Sequence, residues 1–247
     1  MEPESSEELW ADRPTVPSTP LDPRPGASAG PLFDAPAPAA SVPPRPDGAG
    51  PMVVVTGPAG PVGREIRAAL CRRGCLVAAI GAAADPIADG PPVLELEGDL
   101  ASAEQVDRAA EFVARTGEAV VGMVHVVAPG AAPTAPSGDP VLDQLDSEYL
   151  RGLRGPVQLT RRLLEPLAAT AARVVVVHPE PVPVGATALP DALRAEFARR
   201  GITVCSVGVS TPSTVDPVAG AALGELVTDM VLGRQGLDVV ELHARLH

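Results

Sequence analysis

The stretch Met52-Val-Val-Val-Thr-Gly-Pro-Ala-Gly-Pro-Val-Gly63 decides the fold of this chain. It begins with a run of apolar, mostly β-branched residues, which is typical of a buried strand. Three glycines, Gly57, Gly60 and Gly63, follow at G-x-x-G-x-x-G spacing. In a strand–turn–helix unit, one such glycine permits the tight turn, one lets a pyrophosphate approach the backbone, and one lets the helix pack on the strand. The stretch therefore predicts a nucleotide-binding turn whose phosphates would face a helix N-terminus.

Two features around this turn bear on which nucleotide it would hold. Pro58 and Pro61 each lack the backbone N–H that could bind phosphate, although proline is well tolerated in the first turn of a helix, where Pro61 would lie. The predicted second strand ends Ala79-Ile80-Gly81-Ala82. It carries neither the acidic residue that binds a ribose hydroxyl nor a basic residue for a 2′-phosphate. The sequence leaves both NAD and NADP open as cofactors.

Strands and helices alternate from residue 51 to the end of the chain. This alternation predicts an α/β fold, a Rossmann-type doubly wound parallel sheet in three αβα layers, formed by one domain over residues 51–247. Strands are predicted at 52–56, 75–80, 93–96, 120–127, 174–177, 202–209 and 237–242. Helices are predicted at 63–73, 103–115, 147–171, 188–200 and 218–232.

Residues 1–50 have a different composition. They hold 12 of the 30 prolines and eight acidic residues against three arginines, without apolar periodicity. Such a segment cannot bury enough apolar area to offset the entropy of ordering it, so we predict a disordered, Pro-rich, acidic arm. Ser5 and Glu8 have capping-box spacing ahead of Leu9 and Trp10, which suggests a short docking helix for a partner. A solvated acidic terminus is the alternative.

Composition excludes several classes of function. A formal net charge of −12 disfavours binding to nucleic acid, which relies on clustered Lys and Arg. No apolar run reaches the roughly 18 to 20 residues that span a bilayer, and the acidic N-terminus differs from a targeting peptide, so we expect a cytoplasmic protein without membrane contact. Cys71, Cys75 and Cys205 lack metal-ligand spacing and are interpreted as small buried residues. We expect no metal.

Further motifs in the right order resemble the short-chain dehydrogenase/reductase (SDR) superfamily over residues 52–212. Gly98-Asp99-Leu100 resembles the family's adenine-contacting segment. Residues 122–128 resemble the fourth strand of ketoreductase-type and extended members. Leu153-Arg154-Gly155-Pro156 resembles part of the long helix at which subunits of the family meet. The resemblance implies a Rossmann fold and NAD or NADP as cofactor. It assigns cofactor contacts to these residues: Thr56, Gly57, Gly60, Val62, Gly63, Asp99, Leu100 and Ala128.

The catalytic positions of that family are not filled in the usual way. The chain has no lysine and no asparagine, and Tyr149 is its one tyrosine. By the resemblance, the family's asparagine falls on Gly152 and its serine near His178-Pro179, and the start of its Tyr-x-x-x-Lys helix is deleted. The family's hydride transfer needs a tyrosine whose pKa is lowered by an ammonium group. The resemblance therefore implies a catalytically degenerate member.

Two residues remain as weak catalytic candidates. His178 is predicted at the carboxyl edge of the sheet, where it could act as a general base or be a loop histidine bonded to backbone. Tyr149 is predicted at the start of the long helix without a basic neighbour at i+4, and is most simply a packing residue. His125, inside the fourth strand, is interpreted as a hydrogen-bonded core histidine.

We therefore predict a non-catalytic or scaffolding subunit that assembles with SDR-type subunits, in a homo- or hetero-oligomer, through the helices around 147–171 and 188–200. An apolar stripe supports this hypothesis, although it could equally cover the sheet; it comprises Leu150, Leu153, Val157, Leu163 and Leu164. Alternatives are an atypical NAD(P)-dependent oxidoreductase or non-redox tailoring enzyme of secondary metabolism, and a dinucleotide-sensing regulator.

Overall fold

The computed structural model describes residues 50–82, 93–127, 139–180, 188–210, 217–233 and 241–245, all within one compact unit. The strands are β1 (Met52–Thr56), β2 (Leu76–Gly81), β3 (Val93–Glu97), β4 (Val120–Val126), β5 (Arg173–Glu180), β6 (Thr203–Ser210) and β7 (Glu241–Arg245). The α-helices are α1 (Gly60–Arg72), α2 (Ala103–Arg115), α3 (Pro140–Tyr149), α4 (Gly155–Arg162), α5 (Leu164–Ala169), α6 (Ala188–Phe197) and α7 (Pro217–Val231). A π-helical turn, Leu150–Arg154, joins α3 to α4, and a 3₁₀ turn, Ala198–Arg200, follows α6.

The strands form one sheet in the order β3-β2-β1-β4-β5-β6-β7, and every neighbouring pair is parallel. From β1, successive strands are added on one side as far as β3 and then on the other side from β4 onwards, so the order of strands switches between β1 and β4. Open α/β sheets bind ligands at such a switch point, outside the carboxyl ends of the strands. The predicted fold class is confirmed.

Both faces of the sheet are covered, which is why its central strands are apolar without alternation. One face packs against α2, α4 and α6 through side chains such as Phe112, Leu159 and Phe197. The other packs against α1 and α7, which approach so closely that a Cβ on Gly224 would lie 2.5 Å from the carbonyl oxygen of Glu65. All three cysteines are buried, as the sequence predicts, and they form no disulfide with one another.

The single long helix predicted over 147–171 is wrong. Helical structure begins at α3, where Asp139 Oδ1 accepts a hydrogen bond from Leu142 N at 3.4 Å and Pro140 is the first helical residue. It is interrupted at Leu163, because Pro166 has no N–H to donate to the carbonyl oxygen of Arg162. The segment is therefore three α-helices and a π-helical turn.

Other predicted boundaries shift by a few residues. α1 begins at Gly60, since Pro61 is accommodated in its first turn. β5 continues past residue 177 to Glu180 because it pairs with β6 over its whole length. Pro179 is compatible with this pairing, because its missing N–H would face the β4 side, beyond the end of β4.

The last predicted strand, 237–242, overlaps β7 (Glu241–Arg245), which pairs with β6, while residues 237–240 lie outside the described residues. Tertiary pairing sets this register, which the short apolar run does not specify. The predictions for Leu9, Trp10 and Ala128 lie outside the described residues, as does that for the arm up to residue 49.

Candidate functional site

The nucleotide turn leaves β1 through a left-handed glycine. Gly57 has a φ of 65° and donates its N–H to Ile80 O at 3.2 Å. A Cβ at this position would overlap the carbonyl oxygen of Val126, so the turn needs glycine for both its conformation and its closeness to β4. The turn is thereby held between the ends of β2 and β4.

The other two glycines have different roles. A Cβ on Gly63 would lie 2.5 Å from the carbonyl oxygen of Pro58, so this glycine lets α1 pack on the turn. Gly60 has a φ of 84°, and a Cβ there would meet no atom of the described residues within 4 Å. The residue before α1, Ala59, makes no side-chain cap. Open space beside uncapped N–H groups fits an anionic phosphate, although Pro61 removes one donor.

The end of β2 is covered by the turn and faces two carboxylates. A cleft there is lined by residues of the turn, β2 and β3: Pro58, Ala79, Gly81, Ala82, Glu95, Leu96 and Glu97. Glu95 Oε1 lies 3.3 Å from Nη1 of Arg67, and the Arg67 side chain is 1% exposed. Glu97 lies opposite Gly81 in the ladder between β2 and β3. The sequence analysis considered an acidic residue only at the end of β2 itself and did not identify Glu97 on the neighbouring strand β3.

Asp99, the predicted adenine-contacting residue, is held by an arginine that the sequence analysis did not identify. Arg151 donates from Nε to Oδ1 at 3.0 Å and from Nη2 to Oδ2 at 2.8 Å, while Ala101 N donates to Oδ1 at 3.0 Å. The Arg151 hydrogen bonds are the main cause that holds the pKa of Asp99 below its usual value. Arg151 also donates to Ser147 Oγ at 2.6 Å.

Leu100 marks a close approach between the β3–α2 connection and α4. A Cβ on Gly155 would lie 2.7 Å from Leu100 Cβ and would overlap the Leu100 carbonyl oxygen. Gly155 therefore permits α4 to pack on the predicted adenine-contacting segment.

The Thr56 hydroxyl is hydrogen-bonded within the core, although the resemblance assigns Thr56 a cofactor contact. Thr56 Oγ1 lies 2.9 Å from His125 Nδ1, and His125 Nε2 lies 2.9 Å from Thr160 Oγ1. Since Thr160 donates its one proton to Pro156 O at 2.8 Å, it accepts from His125 Nε2–H, and Nδ1 accepts from Thr56. Complete burial lowers the pKa of His125 to about 3, so the ring is neutral at pH 7. The interpretation of His125 as a hydrogen-bonded core residue is confirmed.

The two catalytic candidates lie on different elements, α3 and β5. Tyr149 ends α3 with 52% of its surface exposed, so it is not the packing residue that the sequence suggested. His178 is 6% exposed, and its buried Nδ1 makes no hydrogen bond to any described residue. It lies within β5, two residues before the end of the strand.

Gly152 lies in the π-helical turn, a feature frequently found at functional sites. A Cβ added there would be 3.7 Å from Val127 Cγ1, which places Gly152 beside the carboxyl end of β4. The fold thus gathers the glycine turn, Asp99 and the π-helical turn towards the carboxyl side of the sheet. Val62 is half-buried against the core on the α1 side.

None of the helices in the described ranges combines the length and the apolar composition needed to span a bilayer. No group of three or more His, Cys, Asp or Glu side chains in the same ranges is arranged to hold a metal ion.

Comparison with known proteins finds likeness only at the level of structure. No protein-family model and no curated protein matches the sequence. An SDR-family oxidoreductase from Brucella ovis, in complex with a partially ordered NAD, is 18% identical with a TM-score of 0.62, covering 80% of this chain and 99% of that one. L-sorbose reductase from Gluconobacter frateurii, complexed with NADPH and L-sorbose, is 17% identical with a TM-score of 0.63 over 80% of this chain and 96% of that one.

A metagenomic short-chain oxidoreductase in complex with NADP is also 17% identical, with a TM-score of 0.63 over 81% of this chain and 98% of that one. Identities in this range establish the fold and not the chemistry. The chain has the Rossmann-type fold of the short-chain dehydrogenase/reductases.

Proposed function

We propose that this protein binds a nicotinamide dinucleotide without running the SDR proton relay, and acts as a non-catalytic subunit beside SDR-type subunits. One observation carries the proposal. No described atom lies within 4 Å of a Cβ placed on Gly60 in the glycine turn, whereas the resemblance places the family's asparagine on Gly152 and its serine near His178, in a chain without lysine.

The dinucleotide part rests on residues that fit its separate groups. The turn around Gly57 and Gly60 would hold the pyrophosphate, and Asp99 with Leu100 the adenine. Asp99 Oδ2 accepts one described hydrogen bond, so it retains capacity for an amino group. Several proteins of the same fold have been crystallised with NAD, NADP or NADPH. When bound, such a cofactor supplies or accepts hydride.

The cleft at the end of β2 favours NAD over NADP. Glu97 and Glu95 line it, the latter paired with Arg67, and the chain carries no basic residue between Arg73 and Arg108. A 2′-phosphate placed there would meet carboxylates, whereas ribose hydroxyls could donate to them.

The non-catalytic part rests on chemistry. A relay tyrosine acts through a neighbouring ammonium group, and this chain has none. Tyr149 lies half-exposed on α3. His178 occupies β5 near the position at which the resemblance places the family's serine. Turnover by the usual relay is therefore not expected.

The assembly part rests on a different surface from the predicted stripe. Leu163, in the turn between α4 and α5, is 1% exposed and packs in the core, so its assignment to an outward stripe is wrong. Leu153, Val157 and Leu164 also pack partly against that core. On α3, however, Leu142, Leu145 and Tyr149 are 54%, 45% and 52% exposed at i, i+3 and i+7 spacing. We propose that this face, with α4, α5 and α6, meets an SDR-type subunit.

The test combines binding, turnover and mass. The purified protein should bind NADH in calorimetry and show no turnover of common alcohols and carbonyls. Light scattering should give an oligomer, alone or mixed with an active SDR-type protein from the same source. Turnover dependent on NAD(P) would contradict the non-catalytic assignment, and failure to bind either cofactor would contradict dinucleotide binding.

Assembly is tested separately by Leu145→Glu, because a desolvated carboxylate should dissociate an apolar interface. Val218→Glu is the matched control, since Val218 is 77% exposed on α7. Both variants should keep the wild-type circular dichroism. If Leu145→Glu keeps the wild-type mass, or Val218→Glu dissociates equally, the interface is not on α3.

A further inference from the structure

Helix α3 is polar on its buried side and apolar on its exposed side. Asp143 and Ser147 are 6% and 4% exposed, and Ser147 Oγ accepts a hydrogen bond from Arg151 Nη1 at 2.6 Å. The exposed apolar side chains, here called the α3 face, are Leu142, Leu145 and Tyr149. A helix on the surface of a globular domain normally has the reverse arrangement, with its apolar stripe against the core. The outward side of α3 therefore has the composition of a contact surface.

The apolar exposure of the described residues is concentrated on this one helix. Four large apolar side chains are exposed among them, and three of the four belong to the α3 face; the other is Val218 on α7. The i, i+3 and i+7 spacing places the three on the same side of the helix. Single exposed apolar side chains are ordinary on a protein surface, whereas a contiguous group marks an interaction site.

The charge around the α3 face has one sign. Asp146 is exposed at i+4 from Leu142 and i−3 from Tyr149, and exposed Asp139 directly precedes the helix. The helix itself, Pro140–Tyr149, contains no basic residue, and the whole chain has a formal net charge of −12. This surface therefore attracts cationic groups and repels other acidic surfaces.

A second copy of this chain is a poor match for such a surface. Oligomers of one chain most often form two-fold interfaces, in which the same patch meets itself. Two α3 faces would bring carboxylates of one sign together inside a largely apolar contact, where an unpaired charge is costly. Cationic side chains placed between apolar ones would instead pair with Asp146 while the apolar groups cover Leu142 and Leu145.

We propose that the α3 face binds a basic amphipathic helix of a different protein chain, with apolar side chains against the α3 face and an Arg or Lys beside Asp146. An amphipathic helix that lays its apolar side on an apolar surface is a common mode of recognition, with anchors at i, i+3 or i+4, and i+7. This inference rests on the proposed assembly role of α3 and specifies the chemistry of the partner. The protein alone should not associate with itself through α3.

The first experiment uses a probe peptide and the fluorescence of the only tyrosine in the chain. Trp10→Phe removes the only tryptophan, so that Tyr149 on the α3 face becomes the main emitter. The probe is a cross-linked helical peptide of about 15 residues with leucines at i, i+3 and i+7 and arginines beside them. One control peptide has glutamates in place of the arginines, and the other has serines in place of the leucines.

We expect the arginine peptide to change the Tyr149 emission saturably, and neither control peptide to do so. Because salt screens the charges, its Kd should rise about tenfold between about 50 and about 500 mM NaCl. Asp146→Asn should weaken this binding several-fold, whereas Glu111→Gln, an exposed change on α2, should not. Equal binding of the glutamate peptide, or equal weakening by the two variants, would overturn the charge preference and with it the proposal.

Leu145→Glu separates seating on the α3 face from attraction to an acidic protein. The variant is more acidic than the wild type, so purely electrostatic binding of the arginine peptide would persist or tighten. Loss of binding is the result expected of an apolar contact. Leu142→Ser and Leu145→Ser, which add no charge, should weaken binding as well, with unchanged circular dichroism. Unchanged binding in all three variants would show that the peptide lies elsewhere, and the proposal would be wrong.

The mass of the protein alone distinguishes this inference from the proposed function. In sedimentation velocity from micromolar to submillimolar concentration, the wild type and Leu145→Glu should have the same mass when alone and should differ only in a mixed complex. If the wild type alone forms an oligomer that Leu145→Glu dissociates, α3 pairs with a second copy. That result would overturn the basic-helix partner while leaving dinucleotide binding and the assembly role of α3 in place.

Discussion

Arg151 and Asp99 form a two-point contact across 52 residues of sequence, with Nε–Oδ1 and Nη2–Oδ2 distances of 3.0 and 2.8 Å. The planar guanidinium fixes both the position and the rotation of the carboxylate, which a lysine could not do. It links the π-helical turn to the segment proposed to bind adenine.

Arg151→Gln should weaken NADH binding about fivefold, or about 1 kcal/mol, because the Asp99 carboxylate would lose its fixed orientation. Stability should change little, since the pair is about a quarter to a third exposed. Calorimetry and urea unfolding measure the two effects. Arg162→Gln, which breaks an exposed pair with Asp107, is the control; equal weakening in both variants would point to a general charge effect.

Gly155→Ala and Gly152→Ala should have opposite effects on stability. The methyl group at 155 would overlap the Leu100 carbonyl oxygen, so overpacking should cost about 2 to 3 kcal/mol. At 152 it would make an ordinary 3.7 Å contact, and the loss of backbone freedom in the unfolded chain should stabilise the protein by about 0.5 to 1 kcal/mol. Urea denaturation measures the free energy of unfolding of each variant. Similar free energies for the two variants would contradict the close packing of Gly155 against Leu100.

His125 should make stability depend on pH in mildly acidic solution. Burial lowers its pKa to about 3, below the value of 6.5 expected for the unfolded chain. Between these values the unfolded state binds the extra proton, so stability is complete above about pH 6.5 and is lost as the pH falls towards 3. The slope should approach about 1.4 kcal/mol per pH unit.

The slope can be assigned with His125→Gln, which can hydrogen-bond to Thr56 and Thr160 but does not titrate. Urea unfolding between pH 7 and pH 5 avoids most carboxylate titration, which lies lower. The variant should lose most of the pH dependence in this range. A variant curve parallel to that of the wild type would show that other groups cause it.

NADH should bind at least about tenfold more tightly than NADPH, because the cleft beside Gly81 is lined by carboxylates. Glu97→Gln should narrow this difference several-fold by removing the repulsion of the 2′-phosphate. Glu111→Gln, an exposed change on α2 outside the cleft, is the matched control. Equal affinities for the two cofactors in the wild type would exclude the ribose role of Glu97, even if the dinucleotide binds.

The local sequence was sufficient for the turn and for the alternation of strands and helices along the chain. Apolar runs such as Met52–Thr56 and the glycines at 57, 60 and 63 act within a few residues, through burial and backbone conformation, so their pattern can be read directly. The start of α3 could also have been predicted, since Asp139-Pro140 is an N-cap followed by proline at N1.

Only the tertiary structure decided which distant groups meet. Nothing near Arg151 in the sequence indicates Asp99, and only the ladder between β2 and β3 sets Glu97 opposite Gly81. His125 and His178 look equivalent along the chain, but hydroxyls from β1 and α4 satisfy one ring while the buried Nδ1 of the other finds no described partner. Hydrogen bonding depends on position in space to within a few tenths of an ångström. Residue type and local periodicity do not carry that information, because packing between elements far apart in the chain determines it.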